Sequence, residues 1–383
     1  AEVQAQLATL AKEVAPDALR GEAVALLREA NQQGRAIIAA AFAEAPFSAR
    51  ALTKSYSYLT DGLVLTAFHV ATTYLHPVGT PTSGERIALI AVGGYGRGEM
   101  APFSDVDLMF LTPYKITAWA ESLIESMLYI LWDLRLKVGH SSRTIKDCIR
   151  LGTEDYTIRT AMLEQRFLTG DRDLADELET RLRSELFSRD AHDFIEAKLT
   201  ERDDRHSKQG QRYMVEPNVK EGKGGLRDLQ SLYWIAKYVY QVQDVADLVP
   251  LGLFSPEELD TFSTAANFLW AVRSHLHLAT KRPTEQLNFD LQVEVASRMG
   301  YKDRAGRRGV EIFMQEYFRH ATTVGDITRI LLTKLEASQQ KDAPLLERIF
   351  RRRPKVKSDY KVIHNRLDVN DPEAFLDNKL NLL

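Results

Sequence analysis

The sequence predicts an α/β fold joined to all-α regions, in which a small mixed sheet with helices is flanked by helical domains. Two short apolar runs, at residues 87–92 and 106–111, are separated by a glycine-rich turn, which favours two strands over parts of one helix. Apolar residues recur at three- and four-residue spacing at 51–75 and through most of the chain after Asp155, a pattern typical of helices. The strands therefore form a small part of a mainly helical chain.

Helix-breaking residues divide this chain into segments. A loop rich in proline and glycine occurs at residues 76–84, and further breaks occur at 216–225 and 248–252. A helix is predicted at 116–136 and a third strand at 137–145. The predicted segments are an N-terminal helical segment at 1–75, an α/β core at 76–175, a helical domain at 176–345 and a linker at 346–383.

Composition narrows the class of protein. The 383 residues are 44% hydrophobic and 27% charged, with a formal net charge of -3, so no strong overall field draws the chain to nucleic acid or to an anionic membrane. The apolar run at 62–70 is too short to span a bilayer. The one cysteine, Cys148, rules out an intramolecular disulfide, which fits a reducing compartment. We expect a cytoplasmic globular protein that binds neither nucleic acid nor membrane. The basic run at 351–357 is interpreted as a solvated linker, with a phosphate-binding patch as the alternative.

The glycine-rich turn after the first predicted strand has the features of a phosphate-binding loop. Gly93 and Gly94 have no Cβ atoms, so the chain can bend sharply and bring backbone N–H groups close to an anion. A helix that begins there would add the positive end of its dipole, and Arg97 could supply a cation. A dinucleotide fingerprint that starts at Gly94 would need its third glycine at Glu99, so that motif fails, and the chain has no G-x-x-x-x-G-K-[ST] loop.

Two aspartates follow this turn on the second predicted strand. Asp105 and Asp107 are two residues apart, so their side chains point to the same face. Like charges on one face repel, and Mg²⁺ or Mn²⁺ relieves this repulsion because hard cations are shared between carboxylates and substrate phosphates. The turn and the aspartates together predict metal-dependent phosphoryl transfer. The alternative is an ordinary turn followed by solvated aspartates.

Several stretches of the chain resemble a known family. Residues 92–94 with 105–108 resemble the signature of the nucleotidyltransferase superfamily that has the DNA polymerase β type fold. More narrowly, the sequence is similar to the bacterial PII uridylyltransferase/uridylyl-removing enzyme family, N-terminal part only. The stretches that carry this narrower similarity are 92–99, 104–108, 201–206, 216–230 and 268–277. The resemblance implies a polymerase β-like core.

This resemblance also implies the site. Asp105 and Asp107 would be the catalytic residues and would bind the metal, Mg²⁺ or Mn²⁺. The residues that we expect to bind the nucleotide are Gly93, Gly94, Arg97, Ser104, Lys223 and Arg227. Superfamily members usually carry a third carboxylate on a neighbouring strand, but residues 137–145 contain no Asp or Glu. The nearby candidates, among which the sequence does not choose, are Asp133, Asp147 and Glu154.

The family implies transfer of UMP from UTP to a tyrosine of the PII signal protein, with release of pyrophosphate. One alternative is an adenylyltransferase of related fold that acts on glutamine synthetase. Another is a nucleotide-sensing module without catalysis, which the unassigned third carboxylate favours. The family also carries a His-Asp hydrolase domain and ligand-sensing domains. The chain ends near where the hydrolase domain would begin, so we expect it to lack uridylyl-removing activity and the glutamine sensor.

The stretch 216–230 has two interpretations, both open. Lys220, Lys223 and Arg227 could neutralise nucleotide phosphates. Alternatively, its glycines form a loop and helix start, with Asp228 in a salt bridge.

Three further side chains are interpreted as packing residues. His275 and His277 lie on opposite sides of one predicted helix, so they cannot bind one metal ion together. Cys148 is read as a small buried residue.

Overall fold

The structure of the chain is a computed structural model that describes most of its residues. The described residues are 2–79, 82–188, 191–209, 214–242, 244–339, 360–363 and 366–369. The chain forms two compact units, Ala1–Lys334 and Leu335–Leu383. The boundaries of the four segments that the sequence predicts are not tested by this division and stay predictions.

The described residues of the second unit include one antiparallel pair of strands, β5 (Tyr360–Ile363) and β6 (Arg366–Val369). The sequence predicted a linker here and no hairpin. The basic run at 351–357 lies outside the described residues.

Three helices open the first unit: α1 (Glu2–Glu13), α2 (Pro16–Glu44) and α3 (Ala49–Val70). Pro16 occupies the first turn of α2, where a missing N–H costs nothing. One face of α3 is buried, including Leu63, Val64 and Ala67, and a π-helical turn, Ala71–Leu75, extends it. This helix packs against α2 and against two later helices, α5 (Ala118–Asp133) and α11 (Pro256–Thr280). The helical period read from the sequence is confirmed here.

The centre of the first unit is a four-stranded mixed sheet. Its strands are β1 (Ala88–Ala91), β2 (Val106–Thr112), β3 (Val138–Thr144) and β4 (Arg166–Gly170). Their order is β3-β2-β1-β4, with β2 parallel to β3 and β1 antiparallel to both of its neighbours. All residues of β1 are buried, as expected for a short apolar strand between two others. The predicted small mixed sheet is confirmed.

Helices cover this sheet. They are α4 (Gly93–Gly96), α5 (Ala118–Asp133), α6 (Ile145–Glu154), α7 (Tyr156–Leu163) and α8 (Arg172–Arg181). One core cluster joins Ile90 of β1 and Met109 of β2 to Cys148 of α6 and Leu178 of α8. Burial raises the pKa of the Cys148 thiol to about 12, and its Sγ lies 3.7 Å from Met109 Sδ. Cys148 is therefore a buried packing residue, as predicted.

The rest of the first unit is helical. Its helices are α9 (Ala191–Gln209), α10 (Leu226–Tyr240), α11 (Pro256–Thr280), α12 (Phe289–Arg298) and α13 (Gly309–Gln339), which continues past Lys334. At the start of α11, Ser255 and Glu258 form a capping box, which satisfies N–H groups that a helix start leaves free. None of the described helices is long and apolar enough to cross a bilayer.

The sequence did not predict β4. Residues 166–170 fell in the region that was read as helical, and that reading is wrong. This strand is short, ends in Gly170 and has no alternation of apolar and polar residues. It is stabilised by pairing with β1, for which Ala88 lies opposite Gly170. Such a partner, distant along the chain, overrides local propensity.

Candidate active site

The turn after β1 places a glycine beside a carboxylate of β2. Gly93 has a left-handed backbone with φ 60°, which costs other L-residues about 1–2 kcal/mol. A Cβ at this position would lie 3.2 Å from Asp107 Oδ2. The Val92 N–H also donates to the Asp107 carbonyl oxygen at 3.1 Å. Both the backbone conformation and the neighbouring carboxylate therefore favour glycine at position 93.

The short helix α4 is held in place through Arg97. The guanidinium of Arg97 donates to Glu99 Oε2 at 3.1 Å and to the buried carboxylate of Glu164. Trp234 donates its indole N–H to the same oxygen of Glu164. A Cβ at Gly96 would overlap the Glu164 carbonyl oxygen, so the turn packs directly on the end of α7. Phosphate binding by Arg97 stays a prediction, and the structure shows its donors engaged with two carboxylates.

The two predicted metal ligands lie at the start of β2. Asp105 immediately precedes the strand, and Lys137 Nζ lies 3.0 Å from its Oδ2. Asp107 is half-buried. Burial raises the pKa of Asp107 and the charge of Asp105 raises it further, whereas Lys137 and Lys220 act in the opposite direction. The two carboxylates thus lie close enough to repel, and a cation between them would stabilise their charged forms.

A glycine that the sequence analysis missed gives Asp107 its space. In the parallel register of β2 and β3, Gly139 lies opposite Asp107. A Cβ at position 139 would lie 2.5 Å from Asp107 Oδ1. Any other residue would push on the carboxylate, so Gly139 sets where that group can point. The available signal was a glycine inside a predicted strand, which often marks a close approach.

The third carboxylate stays unassigned. Asp147 caps α6 and accepts from Thr144 Oγ1 at 2.7 Å, and Glu154 pairs with Arg150 at 3.2 Å. Asp133 is the exposed last residue of α5. In the part of the chain that the structure describes, no group of three or more His, Cys, Asp or Glu side chains is placed to hold a metal ion.

The loop that leads into Asp105 is fixed from two sides. Ser104 Oγ accepts from the Ala101 N–H, and the Ser104 N–H donates to the Ala101 carbonyl oxygen, both at 3.0 Å. The preceding residue, Phe103, donates its N–H to Nδ1 of His277 at 3.2 Å. His277 is fully buried in α11. The helical region therefore helps to position the aspartate pair, and nucleotide binding by Ser104 stays a prediction.

His275 is a packing residue, and His192 lies on the surface. His275 stacks on Phe42, with ring centroids 4.4 Å apart, and its Nε2 lies 3.0 Å from the Pro46 carbonyl oxygen. Packing roles for His275 and His277 agree with the prediction. The adjacent pair His192 and Asp193 on α9 is exposed and belongs to no metal-ligand group among the described residues.

Residues 216–230 form a loop and helix start with a buried ionic network. Asp228 is 2% exposed and accepts from Arg205, from His206 Nε2 at 2.9 Å and from the Gly224 N–H at 2.8 Å. Burial acts to raise the pKa of Asp228, but His206, Arg205 and the Gly224 N–H hold it below its ordinary value. The predicted salt bridge of Asp228 is confirmed. Gly224 has φ 75°, and a Cβ there would overlap the Ala321 carbonyl oxygen.

The three cations of this stretch differ in their partners. Arg227 donates to Glu221 Oε1 at 3.1 Å and to Gln230 Oε1 at 3.0 Å. Lys223 is half-buried, and no described carboxylate forms an ion pair with it. Lys220 lies 3.9 Å from Glu221 Oε1, and its charge acts to lower the pKa of Asp107. Nucleotide binding by Lys223 and Arg227 stays a prediction.

Two family models match different parts of this site. The model described as Glutamate-ammonia ligase adenylyltransferase matches residues 1–131, which include the glycine turn and both aspartates. The model described as GlnD PII-uridylyltransferase matches residues 193–332, which include the loop at 216–225 and helices α10 to α12.

Whole-chain similarity supports the second of these families. The chain is 71% identical over 382 residues to a bifunctional uridylyltransferase/uridylyl-removing enzyme of Ruegeria pomeroyi, covering 100% of this chain and 42% of that protein. It is 59% identical over 369 residues to the enzyme of the same name from Cereibacter sphaeroides, covering 96% of this chain and 40% of that protein. For the one from Phenylobacterium zucineum, the identity is 48%, over 100% of this chain and 41% of that protein. The chain thus belongs to the bifunctional uridylyltransferase/uridylyl-removing enzyme family, and it spans about two fifths of the length of these relatives.

Proposed function

We propose that this chain transfers UMP from UTP to a tyrosine hydroxyl of the PII signal protein and releases pyrophosphate. One observation carries the proposal: the Asp107 carboxylate lies against the glycine turn at Gly93 and within the electrostatic reach of Asp105. The names of the relatives supply the uridylyl group, and the family model that matches 193–332 names PII.

The residues at the aspartate pair fit a divalent cation, Mg²⁺ or Mn²⁺. Asp105 and Asp107 offer hard oxygen donors, which these ions prefer. The absence of a Cβ at Gly93 and Gly139 leaves space on both sides of the Asp107 carboxylate. When bound, the cation supplies charge neutralisation at the phosphate that is attacked.

The chain itself positions the reactants. Gly93 and Gly94 let backbone N–H groups approach the β- and γ-phosphates. Lys137 forms an ion pair with Asp105, and His277 accepts a hydrogen bond from the loop that precedes Asp105. In the transfer, the tyrosine oxygen bonds to the α-phosphorus, the bond to the β-phosphate oxygen breaks, and pyrophosphate leaves with the electron pair. The phenol proton leaves to solvent, since no base is assigned.

Adenylyl transfer is the second candidate, because the match to residues 1–131 is to an adenylyltransferase family. In this part, the glycine turn and the aspartate pair would hold phosphates and a metal ion, which are common to all nucleotides. Base choice must then come from elsewhere in the chain.

The test measures the intact mass of a PII protein after incubation with this chain, Mg²⁺ and either UTP or ATP. ATP and 2-oxoglutarate are present in every incubation as ligands of PII. We expect a gain of one UMP per PII subunit with UTP. In a parallel incubation with glutamine synthetase in place of PII, a gain of AMP, without UMP on PII, would support the second candidate. Metal-dependent UTP binding with no transfer to PII would contradict the proposal and support a nucleotide sensor.

Gly139→Ala is expected to lower kcat for UMP transfer about a hundredfold, because a displacement of about 1 Å at a reacting group has an effect of that order. The added Cβ would meet Asp107 Oδ1 at 2.5 Å, and the carboxylate can rotate away, so stability should change little. Kinetics and thermal unfolding measured on the same preparation separate the two effects. Ser141→Ala, two residues along the same strand, should keep its activity. Equal activity of Gly139→Ala and the unaltered chain would show that Asp107 need not be held where the structure places it.

A further inference from the structure

The loop that carries Lys220 is tied to the loop that carries the aspartate pair. The Val219 N–H donates to the Glu285 carbonyl oxygen at 2.9 Å, and Glu285 Oε1 lies 3.6 Å from His277 Nε2. Nδ1 of the same histidine accepts from the Phe103 N–H at 3.2 Å. Phe103 is two residues before Asp105. A short series of contacts thus joins the residue before Lys220 to the metal-binding end of β2.

The backbone of Lys220 is fixed at both of its polar groups. Its N–H donates to Asn218 Oδ1 at 3.1 Å, and its carbonyl oxygen accepts from the Arg227 N–H at 2.8 Å. Gly224 further along the loop packs against the Ala321 carbonyl oxygen on α13. The side chain therefore extends from a rigid base, which reduces the entropy lost when its ammonium group binds a ligand.

Lys220 is also less occupied than the arginines near it. Arg273 donates to Glu285 at 2.7 Å, and Arg227 donates to Glu221 at 3.1 Å. The ammonium of Lys220 lies 3.9 Å from Glu221, which is too long for a hydrogen bond.

Each of the two arginines near this ammonium is paired with a glutamate, Arg273 with Glu285 and Arg227 with Glu221, so the charge of Lys220 is left without a hydrogen-bonded carboxylate among the described residues. Burial lowers the pKa of Lys220, and the charges of Arg273 and Arg227 lower it further against Glu285 and Glu221. The side chain is 29% exposed. A half-buried cation among other cations gains from an anionic ligand more than an exposed lysine does.

We propose that Lys220 binds the β- or γ-phosphate of the nucleoside triphosphate held at the aspartate pair. Lysine serves as a compact positive charge in many phosphate sites. The helical region then supplies part of the nucleotide site as well as the support for it. This inference rests on the proposed function, because it takes a triphosphate as the ligand.

The test compares Lys220→Gln with Lys220→Arg and with Lys302→Gln, which removes the same charge from an exposed position of the helical region. Binding of UTP and of UMP is measured by titration calorimetry with Mg²⁺, and kcat and KM are measured for UMP transfer. We expect Lys220→Gln to bind UTP about tenfold to a hundredfold more weakly, as for loss of one hydrogen bond to a charged group. Its affinity for UMP should change less than about twofold, since UMP has no β- or γ-phosphate. Lys220→Arg should recover most of the UTP affinity, and Lys302→Gln should match the unaltered chain.

Two results would overturn the assignment of Lys220. One is unchanged UTP affinity in Lys220→Gln, and the other is an equal loss of UTP and UMP affinity, which a general disturbance of the loop would cause. If the unaltered chain itself binds no UTP and transfers no UMP, the proposed function fails, and this result is seen without any variant.

Discussion

Asp107→Asn is expected to lower kcat/KM for UMP transfer at least about a thousandfold, because a divalent cation contributes several kcal/mol to such a reaction and asparagine lacks the charge to hold it. The same change should raise the thermal midpoint of the metal-free protein. Burial and the charge of Asp105 raise the pKa of Asp107, so the folded state holds this proton more tightly than the unfolded state. Above both pKa values, the ionised carboxylate therefore lowers stability. The measurements are transfer kinetics and thermal unfolding at pH 7.

The matched control is Asp176→Asn on α8. Asp176 is an exposed carboxylate that pairs with Arg172 at 2.9 Å, and such pairs contribute about 0–1 kcal/mol. We expect its kinetics and thermal midpoint to stay close to those of the unaltered chain. Near-normal transfer by a folded Asp107→Asn protein would remove this residue from the reaction. A lower midpoint would show that the charge of Asp107 is stabilised by groups other than a metal ion.

The parts of the fold that local sequence determines were predictable. The apolar runs that became β1 and β2 are short and bounded by turn residues, and most helices show a clear period. The missed strand β4 has no such pattern, because its stability comes from pairing with β1, about 80 residues earlier in the chain. Pairing with such a distant strand cannot be predicted from residues 166–170 alone.

The residues of the candidate site also fall into two groups, those that local sequence predicts and those that depend on distant contacts. Asp105, Asp107 and Gly93 could be predicted from their spacing along one strand and one turn. The structure places the Asp107 carboxylate beside Gly93 and within the electrostatic reach of Asp105. Gly139 depends on which residue of β3 faces Asp107, and a shift of one residue in register would replace it. Arg97 looked available for phosphate in the sequence, but its carboxylate partner Glu164 comes from the end of α7. Partners that are distant along the chain decide which charges are free.

The strand next to the aspartates raises a related point. Lys137, which directly precedes β3, has its ammonium 3.0 Å from the Asp105 carboxylate, whereas the superfamily resemblance suggested an acid on this neighbouring strand. Two lysines, Lys137 and Lys220, therefore act on the charge of Asp107. Charge at the pair is partly balanced by the chain itself.

Asp228→Asn is expected to destabilise the protein by about 3–5 kcal/mol, the usual effect of removing one partner of a buried ion pair. The substitution leaves Arg205 and His206 without the carboxylate that accepts from both, and it weakens the hold on the Gly224 N–H. The free energy of unfolding in urea at pH 7 measures the effect. Asp203→Asn, which removes an exposed carboxylate from the same helix as Arg205, should change it by less than about 0.5 kcal/mol.

The loss of unfolding free energy in Asp228→Asn should become smaller as pH falls. The pKa of Asp228 is below its ordinary value in the folded protein, so the folded state holds the proton less tightly than the unfolded state. The stabilisation is then complete above the unfolded pKa of about 3.9 and is lost as pH falls through the lower folded value. Unfolding free energies of the variant and the unaltered chain should therefore differ fully at pH 7 and draw together below about pH 4. A difference that grows as pH falls would contradict this, since it would mean that the network stabilises the protonated acid and that Asp228 is a hydrogen-bond donor to its neighbours.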